Sequence, residues 1–209
     1  MRYERSQPPA SDAVTLSDVK DYLRLTHTED DHSLSQLITV ATSYFEQTYN
    51  MALIRQRVTI WLDHWPIGRQ SAWWSGQQSG AVADILGGQR QFILPIRPAL
   101  DLIEVAMITR EDHKNMVPLT DFRLSGSLEP RLILKDGMNW PSVERESDGM
   151  SIEYDAGFGD DHTAIPLLIQ YGLLEMIAHL YTHRGDDLDR SAQSCGARTL
   201  WQPYRKVQL

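Results

Sequence analysis

An α+β fold is predicted for this chain: a helical core interrupted by an antiparallel β-rich insertion. Two features predict it. Apolar residues recur at helical spacing from Thr15 to Tyr49 and again after Pro166, whereas between Leu53 and Tyr154 the period falls to two. Gly, Pro, Asn and Asp punctuate that middle stretch at short intervals, as turns between strands do.

Residues 1–14 are polar and carry Pro8-Pro9, which predicts an extended or flexible N-terminal arm without core residues. Residues 15–52 form the first part of the helical core. Thr15 with Asp18 three residues on is an N-cap signature, and Val19, Tyr22, Leu23 and Thr26 follow on one face. Thr28 followed by Glu29, Asp30 and Asp31 predicts a second capped start. Leu34, Leu37, Ile38, Ala41, Tyr44 and Phe45 carry that helix to Tyr49, and Asn50 is suited to a left-handed stop.

The β-rich insertion spans 53–160. Val58, Ile60 and Leu62 alternate with polar neighbours, and further strands are predicted at Gln91–Leu94, Leu102–Ile108, Asp121–Leu124, Arg131–Leu134 and Ser151–Tyr154. Pro66 to Arg90, rich in Gly, Gln and Ser, is long for a connection and reads either as a projecting loop or as partly disordered chain. The second part of the helical core, 161–185, has Thr163 as a candidate cap. Leu167, Leu168, Tyr171, Leu174, Ala178 and Tyr181 form its apolar face, and Gly185 ends it. Residues 186–209 read as a polar stretch leading into an extended tail, aromatic and basic in an acidic chain.

The 209 residues are 42% hydrophobic and 23% charged, ordinary values for a globular protein long enough to need no covalent staple. A net charge of -8 with scattered lysines and arginines argues against a stable nucleic-acid complex. Cys195 stands alone, so no internal disulfide is expected. The opening residues lack a signal peptide's apolar stretch and no run reaches membrane-spanning length, which together predict a soluble protein made in the cytoplasm.

No catalytic constellation emerges. Gly-x-Ser-x-Gly, Walker and Gly-x-Gly-x-x-Gly patterns are absent, so no enzyme and no cofactor is expected. His179 and His183 have the spacing of a two-histidine zinc motif but lack its glutamate and a third ligand; packing or a hydrogen bond for His179 and a helix-terminus role for His183 are the simpler expectation. Asp186, Asp187 and Asp189, like Asp160 and Asp161, lack the ligand order of a calcium loop and read as solvated. Ala156-Gly-Phe-Gly159 reads as a tight strand-to-helix turn. Trp140-Pro141 is either turn packing or a sugar platform, and Trp73-Trp74 is a protein interface, a local cluster or such a platform.

Several short stretches in this order resemble the head-to-tail connector (adaptor) family of long-tailed bacteriophages and phage-derived gene transfer agents, especially larger members with a β-rich insertion. They are Leu16-Ser-Asp-Val-Lys-Asp-Tyr-Leu-Arg-Leu25 with Glu29-Asp-Asp31, Leu62-Asp-His-Trp-Pro66, Ile93-Leu-Pro-Ile-Arg-Pro98, Trp140-Pro141, Tyr154-Asp-Ala-Gly-Phe-Gly159, Ile165-Pro166 and Leu200-Trp-Gln-Pro-Tyr-Arg205.

The resemblance implies a structural virion protein: a homo-oligomeric ring, normally a dodecamer, beneath the portal protein in the particle neck. It implies a stopper or tail-completion protein on the far side and DNA passing through without specific binding. It also implies that the C-terminal segment engages the portal, which makes Leu200, Trp201, Pro203, Tyr204 and Arg205 the expected contacts. Trp, Tyr and Arg are the types that dominate interface energetics. Trp73 and Trp74 are further interface candidates. The competing expectation is a β-rich carbohydrate-binding or adhesion module that uses the tryptophans as platforms.

Overall fold

The computed structural model describes residues 1–65 and 90–205. Its architecture is α+β, as predicted, and the chain divides into two compact units: Pro9–Gln56 with Gly157–Leu209, and Met1–Pro8 with Arg57–Ala156.

The first unit is helical. In α1 (Leu16–Leu23) the predicted cap is present: the Thr15 hydroxyl accepts the Asp18 N–H at 3.1 Å while the Asp18 carboxylate accepts the Thr15 N–H at 3.2 Å. The helix stops at Leu23, short of Thr26, because Arg24 turns left-handed at φ 57°. In α2 (Asp31–Tyr49), Asn50 makes the expected left-handed stop at φ 51°, but Thr28 caps nothing. The N-cap is Asp30, whose side chain makes no capping bond and instead accepts the Tyr181 hydroxyl at 2.7 Å; Asp31 pairs with Lys20 at 2.8 Å. Tertiary partners outcompeted local capping.

Helix α3 (Leu167–Thr182) buries Ile169, Gly172, Leu173, Met176, Ile177 and Leu180, a stripe at helical spacing. The face predicted from sequence is the neighbouring one. Leu167, Leu168 and Tyr171 are exposed, because the helix is apolar on both stripes and only packing selects between them. The predicted cap Thr163 instead donates its N–H to Asp161, which caps a short 3₁₀ turn, and Pro166 occupies the N-cap of α3.

Residues 186–205 are not an extended tail. Helices α4 (Leu188–Ser194) and α5 (Ala197–Trp201) and a 3₁₀ turn at Gln202–Tyr204 fold back, and Ala192, Ala197 and Trp201 enter the same core as Leu34, Phe45 and Ile169. Ala13 and Val14, assigned to the arm, are also in that core.

The Gly157–Gly159 segment belongs to this unit and runs beside residues 53–55. Phe158 donates its N–H to Leu53 O at 3.0 Å and Arg55 donates to Gly159 O at 2.7 Å. A Cβ on Gly157 would lie 2.6 Å from the Ile54 carbonyl carbon, and its φ is +141°, so the position requires glycine. Nearby, Glu46 is 4% exposed and accepts the Leu53 N–H and the Gln56 amide at 2.8 and 3.0 Å.

The second unit holds two sheets. One has the order β1 (Arg2–Gln7), β2 (Gln56–Leu62), β8 (Met150–Ala156), β4 (Ala99–Ile108), β5 (Lys114–Met116). The other has the order β3 (Gln91–Ile93), β7 (Arg131–Leu134), β6 (Phe122–Ser125). The pairings β1–β2, β4–β8, β4–β5, β3–β7 and β6–β7 are antiparallel, as expected for an insertion built from short connections.

Two strands were not predicted. β1 lies in the supposed arm, and its residues are all exposed, so no alternation betrays it; main-chain pairing to β2 holds it, with Arg2 over the Trp61 ring at 4.1 Å. β5 is three exposed residues on a sheet edge.

Candidate functional site

The residues expected to meet a partner were Leu200, Trp201, Pro203, Tyr204 and Arg205, and the fold separates them. Trp201 is fully buried, its indole edge-on to Phe45 at 5.0 Å between ring centres and its Nε1–H donated to Ile169 O at 3.3 Å. It is a core residue and presents no contact surface, which corrects the expectation. Leu200 and Tyr204 are half-buried against the same core, and burial pushes the Tyr204 hydroxyl pKa up. Pro203 and Arg205 are exposed.

Folding the segment back brings together a group that sequence reasoning did not assemble. Tyr49, Gln193, Arg198, Thr199, Gln202 and Arg205 line a recess of about 280 Å³. Burial raises the pKa of the Tyr49 hydroxyl, while the nearby Arg198 and Arg205 guanidiniums act in the opposite sense. Neither arginine has a carboxylate within ion-pair distance among the described residues. The recess therefore offers positive charge and amide groups next to the exposed Pro203 and Arg205, which suits an acidic or polar protein segment.

The other sequence candidates have local structural roles. The His179 and His183 rings stack at 4.3 Å, and His179 Nε2 lies 3.2 Å from Asp186 Oδ2. Among the described residues no group of three His, Cys, Asp or Glu side chains could hold a metal. Asp187 caps α4, and Asp189 accepts the Tyr44 hydroxyl at 2.6 Å; burial, reinforced by that bond, pushes the tyrosine pKa up to about 12. Asp160 pairs with Arg55 at 3.0 Å.

Trp140 stacks on Trp65 at 4.3 Å, and the Trp65 indole donates to Pro141 O at 2.8 Å, so one face of Trp140 is taken by packing in the sheet unit. Trp73 and Trp74 lie outside the described residues. Among the described residues, no helix is long and apolar enough to cross a membrane.

Residues 13–69 match the family of phage gp6-like head-tail connector proteins. No curated protein matches the chain. Among solved structures, a chain in the virion of a native gene transfer agent particle is 20% identical with a TM-score of 0.78, over 100% of this chain and 97% of that one. A chain in the neck of the empty particle, computed with C6 symmetry, is 19% identical with a TM-score of 0.78 over the same shares. One in the neck of the native particle, computed with C12 symmetry, gives 20% and 0.76, again over 100% and 97%. The chain thus carries the head-tail connector sequence pattern across its first helices and, over its whole length, the fold of a gene transfer agent neck protein.

Proposed function

We propose that this protein is a structural head-to-tail connector subunit that forms a ring beneath a portal and joins the capsid to the tail or stopper of a phage-like particle. The observation that carries this reading is the whole-length likeness to a neck chain, insertion included, combined with the connector match at residues 13–69. The C12 symmetry of one such neck favours a dodecamer. A net charge of -8 is consistent with a channel that lets DNA pass without holding it. The role is structural and needs no catalytic group.

The portal-facing surface in this reading is the outward side of the C-terminal segment: Leu200, Pro203, Tyr204 and Arg205, with the arginine recess beside them. Trp201 supports that surface from beneath. Trp73 and Trp74 are kept as a second contact, on the ground that paired indoles in a polar stretch favour protein interfaces.

Electron microscopy of particles from producing cells tests the role: density for this chain as a ring between portal and tail is expected, and its absence from the neck overturns the reading. Truncation after Trp201 tests the surface, because it spares the core tryptophan while removing Gln202–Leu209. The truncated chain is expected to stay folded and lose portal binding; undiminished co-purification with portal would remove the C-terminal assignment.

A further inference from the structure

Within the helical unit, Leu167, Leu168 and Tyr171 are 79%, 50% and 48% exposed. Isolated exposed apolar residues are ordinary, but these three sit at i, i+1 and i+4 on the first turns of α3 and form one projecting patch. Asp18 and Asp21 flank it, lining with Leu167 the same recess; among the described residues no cation lies within ion-pair distance of either carboxylate.

At the other end of α3 lies an apolar recess of about 640 Å³ between α2 and α3, with Leu37, Val40, Leu180 and Tyr181 in its lining. Among the described residues that line it, Arg184, set over the Tyr181 ring at 5.9 Å, is charged, and Ser33, Gln36 and Thr39 are neutral. Val40 is 38% exposed, so the recess also leaves apolar surface in water.

We propose that Leu167, Leu168 and Tyr171 of one copy seat in the Leu37–Val40–Leu180 recess of the next copy, with Asp18 and Asp21 facing Arg184. Apolar knob meets apolar recess, and acidic flank meets basic rim. Patch and recess are separated by 13 residues of one helix, about 20 Å at 1.5 Å per residue. They are distinct surfaces, so the contact is head-to-tail and repeats from copy to copy, which is the arrangement that closes into a ring. This inference rests on the ring reading above and assigns its subunit contact.

Cysteine cross-linking tests it. In a Cys195→Ala background, Tyr171→Cys and Val40→Cys are introduced together into the full chain, and oxidation is carried out on self-associated protein and on isolated particles. A ladder of covalent dimers, trimers and higher species is expected from the pair, with neither cysteine alone giving cross-links. Dimers from Tyr171→Cys alone would show a two-fold contact and overturn the proposal. So would absence of cross-links in particles whose neck ring is visible by microscopy, and that outcome leaves the ring reading standing. Absence of a ring in the particles overturns both.

As a second measurement, Leu167→Glu with Leu168→Glu is expected to abolish self-association while circular dichroism and the melting temperature stay near those of the parent, since Tyr171, which rests edge-on against Tyr22, is left in place. Unimpaired self-association would overturn the proposal.

Discussion

Gly172 and Trp201 meet face to face in the helical unit: a Cβ built on Gly172 would lie 2.3 Å from the Trp201 Nε1 and 2.7 Å from its Cε2. The missing side chain on α3 is the space in which the indole sits. It lets α5 approach closely enough for the indole N–H to reach the Ile169 carbonyl at 3.3 Å. That contact anchors the end of the chain to the helical core, so the surface proposed for portal binding has a rigid base.

Gly172→Ala therefore sets two effects against each other. Alanine favours a helix interior by about 1 kcal/mol over glycine. Overpacking a filled core costs about 1–3 kcal/mol, and the obstructing group is a rigid indole held by a hydrogen bond. The clash should win, giving lower stability of the helical unit in urea unfolding followed by far-UV circular dichroism. In a Trp201→Leu background the same substitution should cost less or become stabilising, because the obstruction has gone.

In the sheet unit, the fully buried Tyr154 hydroxyl donates to Ile96 O at 3.0 Å and accepts the Ile96 N–H at 3.1 Å. Burial raises its pKa far above the ordinary tyrosine value, so the group stays neutral. Tyr154→Phe removes one oxygen and strands two buried backbone groups, at an expected cost of about 1–3 kcal/mol. Thermal unfolding monitored by near-UV circular dichroism checks it; an unchanged melting temperature would show that water replaces the hydroxyl.

What could be read from sequence was whatever short-range chemistry decides. The Thr15–Asp18 box, the Asn50 stop and the alternation of Val58, Ile60 and Leu62 are each complete within a few residues, and each recurs in the structure. Trp201 was misassigned because Trp, Pro, Tyr and Arg in one short segment look like an interface, while its burial depends on a gap at Gly172, 29 positions away. α3 was turned to the wrong face because Leu167, Leu168 and Tyr171 match a helical stripe as well as the buried set does. The arginine recess joins Tyr49 on α2 to the C-terminal helices, a meeting no local spacing announces.

The loop at Asp63 predicts a pH dependence with a definite sign. Its carboxylate accepts the Asp148 N–H at 3.0 Å, and that bond, the largest influence, holds its pKa below the ordinary carboxylate value. A depressed folded-state pKa contributes stability above the unfolded value of about 4, and the contribution disappears as pH falls through the folded value. The Asp63 side-chain carboxyl resonance should therefore titrate with a midpoint below the ordinary carboxylate value of about 4. In Asp63→Asn that acid transition should vanish; a transition midpoint above about 4 would contradict the assignment.

Arg57 on β2 faces two carboxylates of β8, with Nε 2.9 Å from Asp155 and 3.4 Å from Glu153. The Asp155 side chain is only 10% exposed, and Asp101 stands opposite it in register on β4, so the cation offsets negative charge from neighbouring strands. Arg57→Ala leaves the Asp155 carboxylate poorly hydrated and unpaired, at an expected cost of about 1–3 kcal/mol. Arg57→Lys should fall between, keeping the charge but losing the planar fork. Replacing both partners, as Arg57→Met with Asp155→Leu, removes the stranded charge along with the bond and should cost less than Arg57→Ala alone. Urea unfolding of the three variants decides it: a double variant less stable than Arg57→Ala would mean that the pair contributes net attraction beyond its desolvation cost.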